Sequence, residues 1–265
     1  MIPAGILNAG DGGWAFASLA RELSAALGIP TVTEPAMFNY VLMWEGDMAT
    51  IRERSFIPPQ AIETASDKRL VAKAFKHAGV PSPQTHLIDF GDIDSFLSLN
   101  TGRWVLKYPI GCGGAGHRFI ASIADIPKNW PMPCVVQEFI SMDEPKVYRI
   151  YCVNGHLFGF NLRLFPMGTK CSPWVAHARG ARYVHGAIAP AEAMRVAARA
   201  LQATGLFSSF GCVDLLQQRD GGWLALEVGT DGIYNFVDRN FDSPSLRSEM
   251  LQRLKIAFWN GLEKQ

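Results

Sequence analysis

The sequence predicts an α+β fold in three parts: a short α/β lobe over residues 1–62, a small lobe over 63–140 and a larger lobe over 141–265. Three observations carry that expectation. Residues 104–120, WVLKYPIGCGGAGHRFI, leave an apolar run, cross a glycine cluster and return to an apolar run, the pattern of strand, glycine hairpin and strand. Asn154-Gly155, the dipeptide that best signals a two-residue turn, lies between two further strand-like runs. Two more apolar runs, 210–216 and 223–228, flank Asp220-Gly221 and carry one carboxylate each, Asp214 and Glu227.

Taken in order, Ile6-Leu7 reads as a strand entering the loop Asn8-Ala9-Gly10-Asp11-Gly12-Gly13. Residues 14–27 have apolar side chains at helical spacing and end at Gly28, with Pro30 beyond. A strand, glycine loop and helix can seat an anion at the helix N-terminus, and they can equally be a tight turn. Residues 40–44 read as a second strand, and Pro58-Pro59 as a change of direction. Ser66 is expected to cap a helix through Leu70, Val71, Phe75 and Ala78 that stops at Gly79. Lys68 falls in its first turn, where a base is unfavourable, and a nearby phosphate would account for it. Residues 80–87 then read as a connecting strand and 93–99 as a short helix.

The glycine cluster admits three readings. Gly111, Gly113 and Gly116 spell G-x-G-x-x-G, but the dinucleotide fingerprint opens a helix there and a short strand follows instead. The P-loop reading fails because His117 and Arg118 stand where Lys and Ser or Thr are required. What remains is a flap whose backbone N-H groups, at Gly113, Gly114 and Gly116, close over phosphates beside Lys107, with a ligand-free glycine turn as the plain alternative.

Beyond the flap, residues 134–140 form an apolar strand ending in Gln137-Glu138-Phe139-Ile140, against which a base can lie, with Asp143 or Glu144 placed for ribose hydroxyls. If Asn154-Gly155 is the turn, Arg149 falls opposite Phe160 and Lys146 opposite Arg163. The two arginines then point to different faces unless a bulge intervenes. Residues 164–187 have little pattern and read as a basic, aromatic substrate lid, with Arg179 and Arg182 as anion contacts; a helix over 191–203 follows. With Asp220-Gly221 as a two-residue turn, Asp214 lies across from Glu227, and two facing carboxylates in an apolar hairpin call for a cation between them. Mg²⁺ suits such hard oxygen ligands.

Composition excludes several classes. A net charge of +1 argues against nucleic acid as the main partner, and no run of about 18 apolar residues predicts a membrane span. Met1-Ile2-Pro3-Ala4-Gly5 does not read as a signal peptide. Five cysteines without C-x-x-C spacing suit reduced thiols and a cytoplasmic location.

In order along the chain, Ser66-Asp67-Lys68, Lys107 with its glycine loop, Gln137-Glu138-Phe139-Ile140, and the Asp214 and Glu227 strands resemble the ATP-grasp superfamily over roughly residues 63–240. The chain is most similar to the ribosomal-protein-S6-modification and glutathione-synthetase-like ligases. That resemblance implies a nucleotide held between two α+β lobes, with ATP and Mg²⁺ as cofactors. It implies a carboxylate activated as an acyl phosphate and attacked by an amine, so that small-molecule or peptide acids and amines would be the substrates. Lys68 and Lys107 would hold phosphates, Gln137, Glu138 and Phe139 the adenine with Ile140 beside them, and Asp143 or Glu144 the ribose. Asp214 and Glu227 would hold the metal. Arg163, with Arg149 across the hairpin, would stabilise the acyl phosphate and tetrahedral intermediate. The family usually has Asn two residues after the metal-binding Glu; here that position is Gly229, and Asp231 or Asn235 would fill in. A non-catalytic ATP-binding protein and a kinase that stops at phosphoryl transfer stay open, as does a homo-oligomer in which a second subunit completes the substrate site.

Overall fold

In the computed structural model, residues 3–111, 113–185, 188–230 and 244–264 are described. The first lobe is a parallel sheet in the order β2-β1-β3, from β1 (Ala4–Asn8), β2 (Thr31–Val32) and β3 (Phe38–Met43). Helix α1 (Gly13–Leu27) makes the crossover and buries Leu19, Leu23 and Leu27, the stripe its apolar spacing predicts. It ends at Gly28 in the left-handed conformation.

Two helices follow where one was expected. α2 (Pro59–Ser66) begins at the second proline, which suits a first helical position. α3 (Lys68–Ala78) begins directly after it. The cap is therefore Asp67 rather than Ser66: its carboxylate accepts the Arg69 backbone N-H and grips the Arg69 guanidinium as well, while Ser66 closes the preceding helix.

The middle lobe is an antiparallel sheet, β4-β7-β5-β6, of β4 (Thr85–Ile88), β5 (Trp104–Lys107), β6 (Arg118–Ile120) and β7 (Cys134–Glu138). It is backed by α4 (Ile93–Leu99). The last lobe is an antiparallel sheet, β10-β9-β8-β11-β12, of β8 (Lys146–Val153), β9 (His156–Leu164), β10 (Arg182–His185), β11 (Phe210–Gln217) and β12 (Trp223–Gly229). Helix α5 (Ala191–Ala203) packs on β11 and β12. Part of the expected lid is thus ordered strand, since β10 pairs with β9 from Arg182 opposite Leu164 to His185 opposite Asn161. The last helix, α6 (Pro244–Leu262), packs on α1: Phe258 lies against Phe38 and Phe56, and the Trp259 indole N-H donates to the Leu27 carbonyl.

Core formation divides the chain differently from the sequence order. One apolar cluster joins Ile6, Leu23 and Tyr40 of the first lobe to Ile150, Phe210 and Val213 of the last and to Phe258 of α6. The middle sheet has its own cluster around Ile93, Trp104, Leu106 and Val136. Among the described residues no helix is long and apolar enough to cross a membrane.

Two registers decide where charges meet. In the β8–β9 hairpin, Tyr151 pairs with Phe158 but Ile150 pairs with Phe160, so Gly159 is an extra residue. Its φ is +65°, and a Cβ there would lie 3.1 Å from the Tyr151 ring and 3.3 Å from Leu246, a place for glycine alone. The bulge sets Arg149 opposite Asn161 and Arg163 opposite Val147, in place of the expected Phe160 and Lys146 pairings. Both arginines now face the same side. In the β11–β12 hairpin the turn is longer than two residues, closed by the Gln218 N-H donating to the Gly222 carbonyl, and Gln217 pairs with Trp223. Leu226 then bulges, and Asp214 pairs with Glu227 as expected.

Candidate active site

The middle sheet and the last sheet face each other across a cleft that holds a cavity of about 110 Å³. Lys107, Gly113, Gly114, Gln137, Glu138, Phe139, Ile140, Arg163, Asp214 and Glu227 all line it, so ten residues chosen from the sequence converge on one space. Their neighbours include His117, Met142, Trp174, Leu216 and Leu226, which supply its apolar walls.

Lys107 ends β5 and is buried, 6% exposed. Its ammonium donates to Gln137 Oε1 at 2.8 Å, and Gln137 donates in turn to the Thr85 hydroxyl at 2.9 Å. Burial pushes the Lys107 pKa down to about 8; Glu227 and Asp214 pull it up, and Lys68 adds to the depression. Lys68, the first residue of α3, donates to the Gly111 carbonyl and lies 3.4 Å from Glu227 Oε1. That lysine therefore ties the flap to β12. The Lys68 backbone N-H also donates to the Pro109 carbonyl, which fixes the base of the flap to the start of α3.

Asp214, 4% exposed, stands in a cross-strand row between Arg149 and Glu227. Arg149 donates through Nε to Oδ1 at 2.7 Å and through a terminal nitrogen to Oδ2 at 3.0 Å, and Arg163 donates to Oδ2 at 3.0 Å. Burial alone would raise this carboxyl, but the two guanidiniums outweigh it and hold it at about 2. The Tyr183 ring lies 4.8 Å from the Arg163 guanidinium and 5.7 Å from that of Arg149.

The flap is drawn down onto the segment before β10. The Gly114 carbonyl accepts from Arg179 at 3.3 Å, and Trp174 meets His117, Phe119 and Phe139 with ring centroids 5.7, 5.0 and 6.0 Å apart. Gly114 has φ +71°, and a Cβ would come within 3.2 Å of Trp174, so this closeness depends on glycine. Burial first, then Lys107, Lys68 and Arg179, push the His117 imidazole down to about 3, and it is neutral at ordinary pH.

Other residues expected at the site lie off this cavity. Asp143 and Glu144 are exposed and paired with Arg219 and Lys146, and neither lines the cleft, which takes Met142 from that segment instead. Arg179 reaches the flap. Arg182 is exposed on β10 and donates only locally, to the Ala181 carbonyl. Gly116 packs against Tyr108 and Trp130, off the lining. Arg149 acts from behind Asp214 and does not line the cleft. Asp231 and Asn235 lie outside the described residues. Trp174 is the chief residue whose role sequence reasoning missed, because an aromatic in an unpatterned segment carries no register.

A carboxylate offers about four acceptor sites. Asp214 uses three on arginines, and Glu227, whose side chain is 36% exposed, has Lys68 on one oxygen. Among the described residues no third carboxylate, histidine or cysteine joins them. The donor set fits a hard divalent ion that takes one or two carboxylates and completes its shell with water and phosphate oxygens. It does not form an all-protein cage.

A parallel sheet, a flap-bearing antiparallel sheet and a larger antiparallel sheet enclosing such a cleft make the ATP-grasp fold. Solved structures with that fold match nearly the whole chain. D-alanine–D-alanine ligase from Bacillus anthracis aligns with a TM-score of 0.72 at 15% identity over 98% of this chain and 97% of that one. D-cycloserine synthetase DcsG aligns with a TM-score of 0.60 at 17% identity over 98% and 99%. The ATP-grasp ligase PsnB, complexed with minimal precursor, Mg and ADP, aligns with a TM-score of 0.64 at 14% identity over 98% of each chain. No family model and no curated protein matches the sequence.

Proposed function

We propose that the chain is an ATP-dependent carboxylate–amine ligase working through an acyl phosphate. The observation that carries this reading is the convergence of Lys107, the glycine flap and the facing Asp214 and Glu227 on one cleft of an ATP-grasp fold, with Lys68 paired to Glu227 at its edge. The neighbours bound to ATP, or to Mg and ADP, support the choice of nucleotide and metal.

In this reading residues 137–140, with Met142 and Leu226, would hold the adenine, and Lys107, Lys68 and the flap would hold the phosphates. Asp214 and Glu227 would hold Mg²⁺, which when bound would neutralise phosphate charge. A carboxylate oxygen of the acid attacks the γ-phosphorus and ADP leaves. The amine nitrogen then attacks the carbonyl carbon, phosphate departs with the former carboxylate oxygen, and the amine loses a proton. Arg163 faces the cleft and stabilises the charge that develops on oxygen; Arg149 holds Asp214 and so acts as a positioning residue. Small-molecule or peptide acids and amines are the partners.

The test is purified protein with Mg-ATP and fractionated metabolites, with ADP, AMP and phosphate resolved. ADP and phosphate released together with a new amide supports the ligase, and Glu227→Ala is expected to abolish that release. ADP with a stable phosphorylated product would make it a kinase. Gly229, where the family usually has Asn, favours a second reading: a protein that binds ATP without turnover. Tight binding and no product in any fraction would establish that one instead.

A further inference from the structure

Glu227 borders not only the nucleotide cleft but also a larger cavity, about 410 Å³, on the far side of Lys68. This size falls in the ordinary range for small-molecule sites. Its apolar side chains come mostly from the first lobe: Phe16 of α1, Leu42, Met43 and Trp44 at the end of β3, Met48, and Ile62 of α2. At the opposite end stand Lys68, Glu227 and the Gly111 segment of the flap. The cavity is therefore polarised, apolar in its body and charged where it approaches the cleft.

We propose that this cavity binds the body of the acid substrate, and that the body is an alkyl or aryl group, with its carboxylate presented to Lys68. The proposal rests on the ligase reading and adds the substrate class. Lys68 is the lone cation among the described lining residues, so a second carboxylate placed deeper would be desolvated without a partner. Each methylene laid against the apolar wall is worth about a fourfold gain in affinity. The ammonium of Lys68, shared with Glu227 and the flap, stands at the junction of the two spaces, where a carboxylate must wait to meet a phosphate. Neither Arg179 nor Arg182 is among the described residues of this lining.

The experiment supplies Mg-ATP and hydroxylamine as the amine, with straight-chain monocarboxylic acids of increasing length, phenylpropionic acid and succinic acid. Hydroxamate and ADP are measured, and binding of the same acids to the ADP-loaded protein is followed by calorimetry. Product formation that rises with chain length or with the aryl group, and is lacking with succinate, supports the proposal. So does a rise in KM of roughly tenfold for the preferred acid in Met48→Gln, and a similar rise in Ala65→Phe, which puts a large ring at another lining residue of the cavity. ADP affinity on the same samples reports the fold. Turnover confined to short or dicarboxylic acids would overturn the proposal and leave the ligase standing. Tight binding of apolar acids without turnover, weakened by Met48→Gln, would keep the site and overturn the ligase. Neither binding nor turnover with apolar acids would overturn the proposal.

Discussion

Lys107 is the residue with the sharpest expected behaviour. Its depressed pKa of about 8 means the free protein loses this cation as pH rises through that value, while a bound polyphosphate favours the charged form. Nucleotide affinity is therefore expected to fall above about pH 8, by up to roughly tenfold per unit, with proton uptake on binding. Calorimetry in buffers of different ionisation enthalpy checks this, and Lys107→Arg should flatten the profile. Asp214 titrates at the other extreme. Its pKa is lowered to about 2, so the stability it contributes is complete above the ordinary carboxylate range and lost as pH falls toward 2. The difference amounts to about 2–3 kcal/mol. Asp214→Asn should show a smaller loss of stability in acid than the parent. Asp214→Ala, which strands two guanidiniums, should cost about 3–5 kcal/mol at neutral pH in urea titrations. The identity of these residues was legible because a lone lysine in an apolar strand and an acid in an apolar hairpin are chemically conspicuous. The arginine pair on Asp214 was not, because sequence offered a cation for the carboxylates without saying which.

At the scale of elements, the decisive features are two bulges. Gly159 brings Arg149 and Arg163 to one face, and Leu226 restores the Asp214–Glu227 pairing that the longer turn at 218–222 would have slipped by one residue. The expected carboxylate pairing came out correct because two departures cancel, whereas the arginine pairing came out wrong because only one occurred. Bulges are invisible to alternation alone: Gly159 could equally be an ordinary strand glycine in sequence. Gly159→Val is expected to cost about 2–3 kcal/mol, through positive φ and contact with Tyr151 and Leu246. It should also weaken nucleotide binding by displacing Arg163. Thermal melts and ADP titration of this variant measure both effects. Helix α2 escaped sequence reading because Pro58-Pro59 looks like a turn and only seven residues follow before Asp67.

Over the whole molecule, the first and last lobes share one core and the middle sheet has another. The sequence read three lobes from its motifs, yet nothing in a local pattern tells which lobes will bury surface together. With separate cores joined by two crossings, the middle sheet is expected to open without unfolding the rest. In the absence of nucleotide, amides of β5 and β6 should exchange with deuterium faster than those of β8 and β11, and Mg-ADP should narrow the gap. Equal rates without ligand would contradict the division.

Glu227 borders the cleft between the middle and last sheets, the 410 Å³ cavity behind Lys68 and a third cavity of about 280 Å³ beneath α3. One carboxylate thus belongs to three spaces, and its ion pair with Lys68 is a shared resource. Whatever fills one space changes the charge balance that the others meet. Thermodynamic linkage then requires reciprocity: the factor by which bound nucleotide alters the affinity for an acid is the factor by which that acid alters the affinity for nucleotide. Under the proposed function, substrate order would follow from who reaches Lys68 first, not from which pocket is deeper.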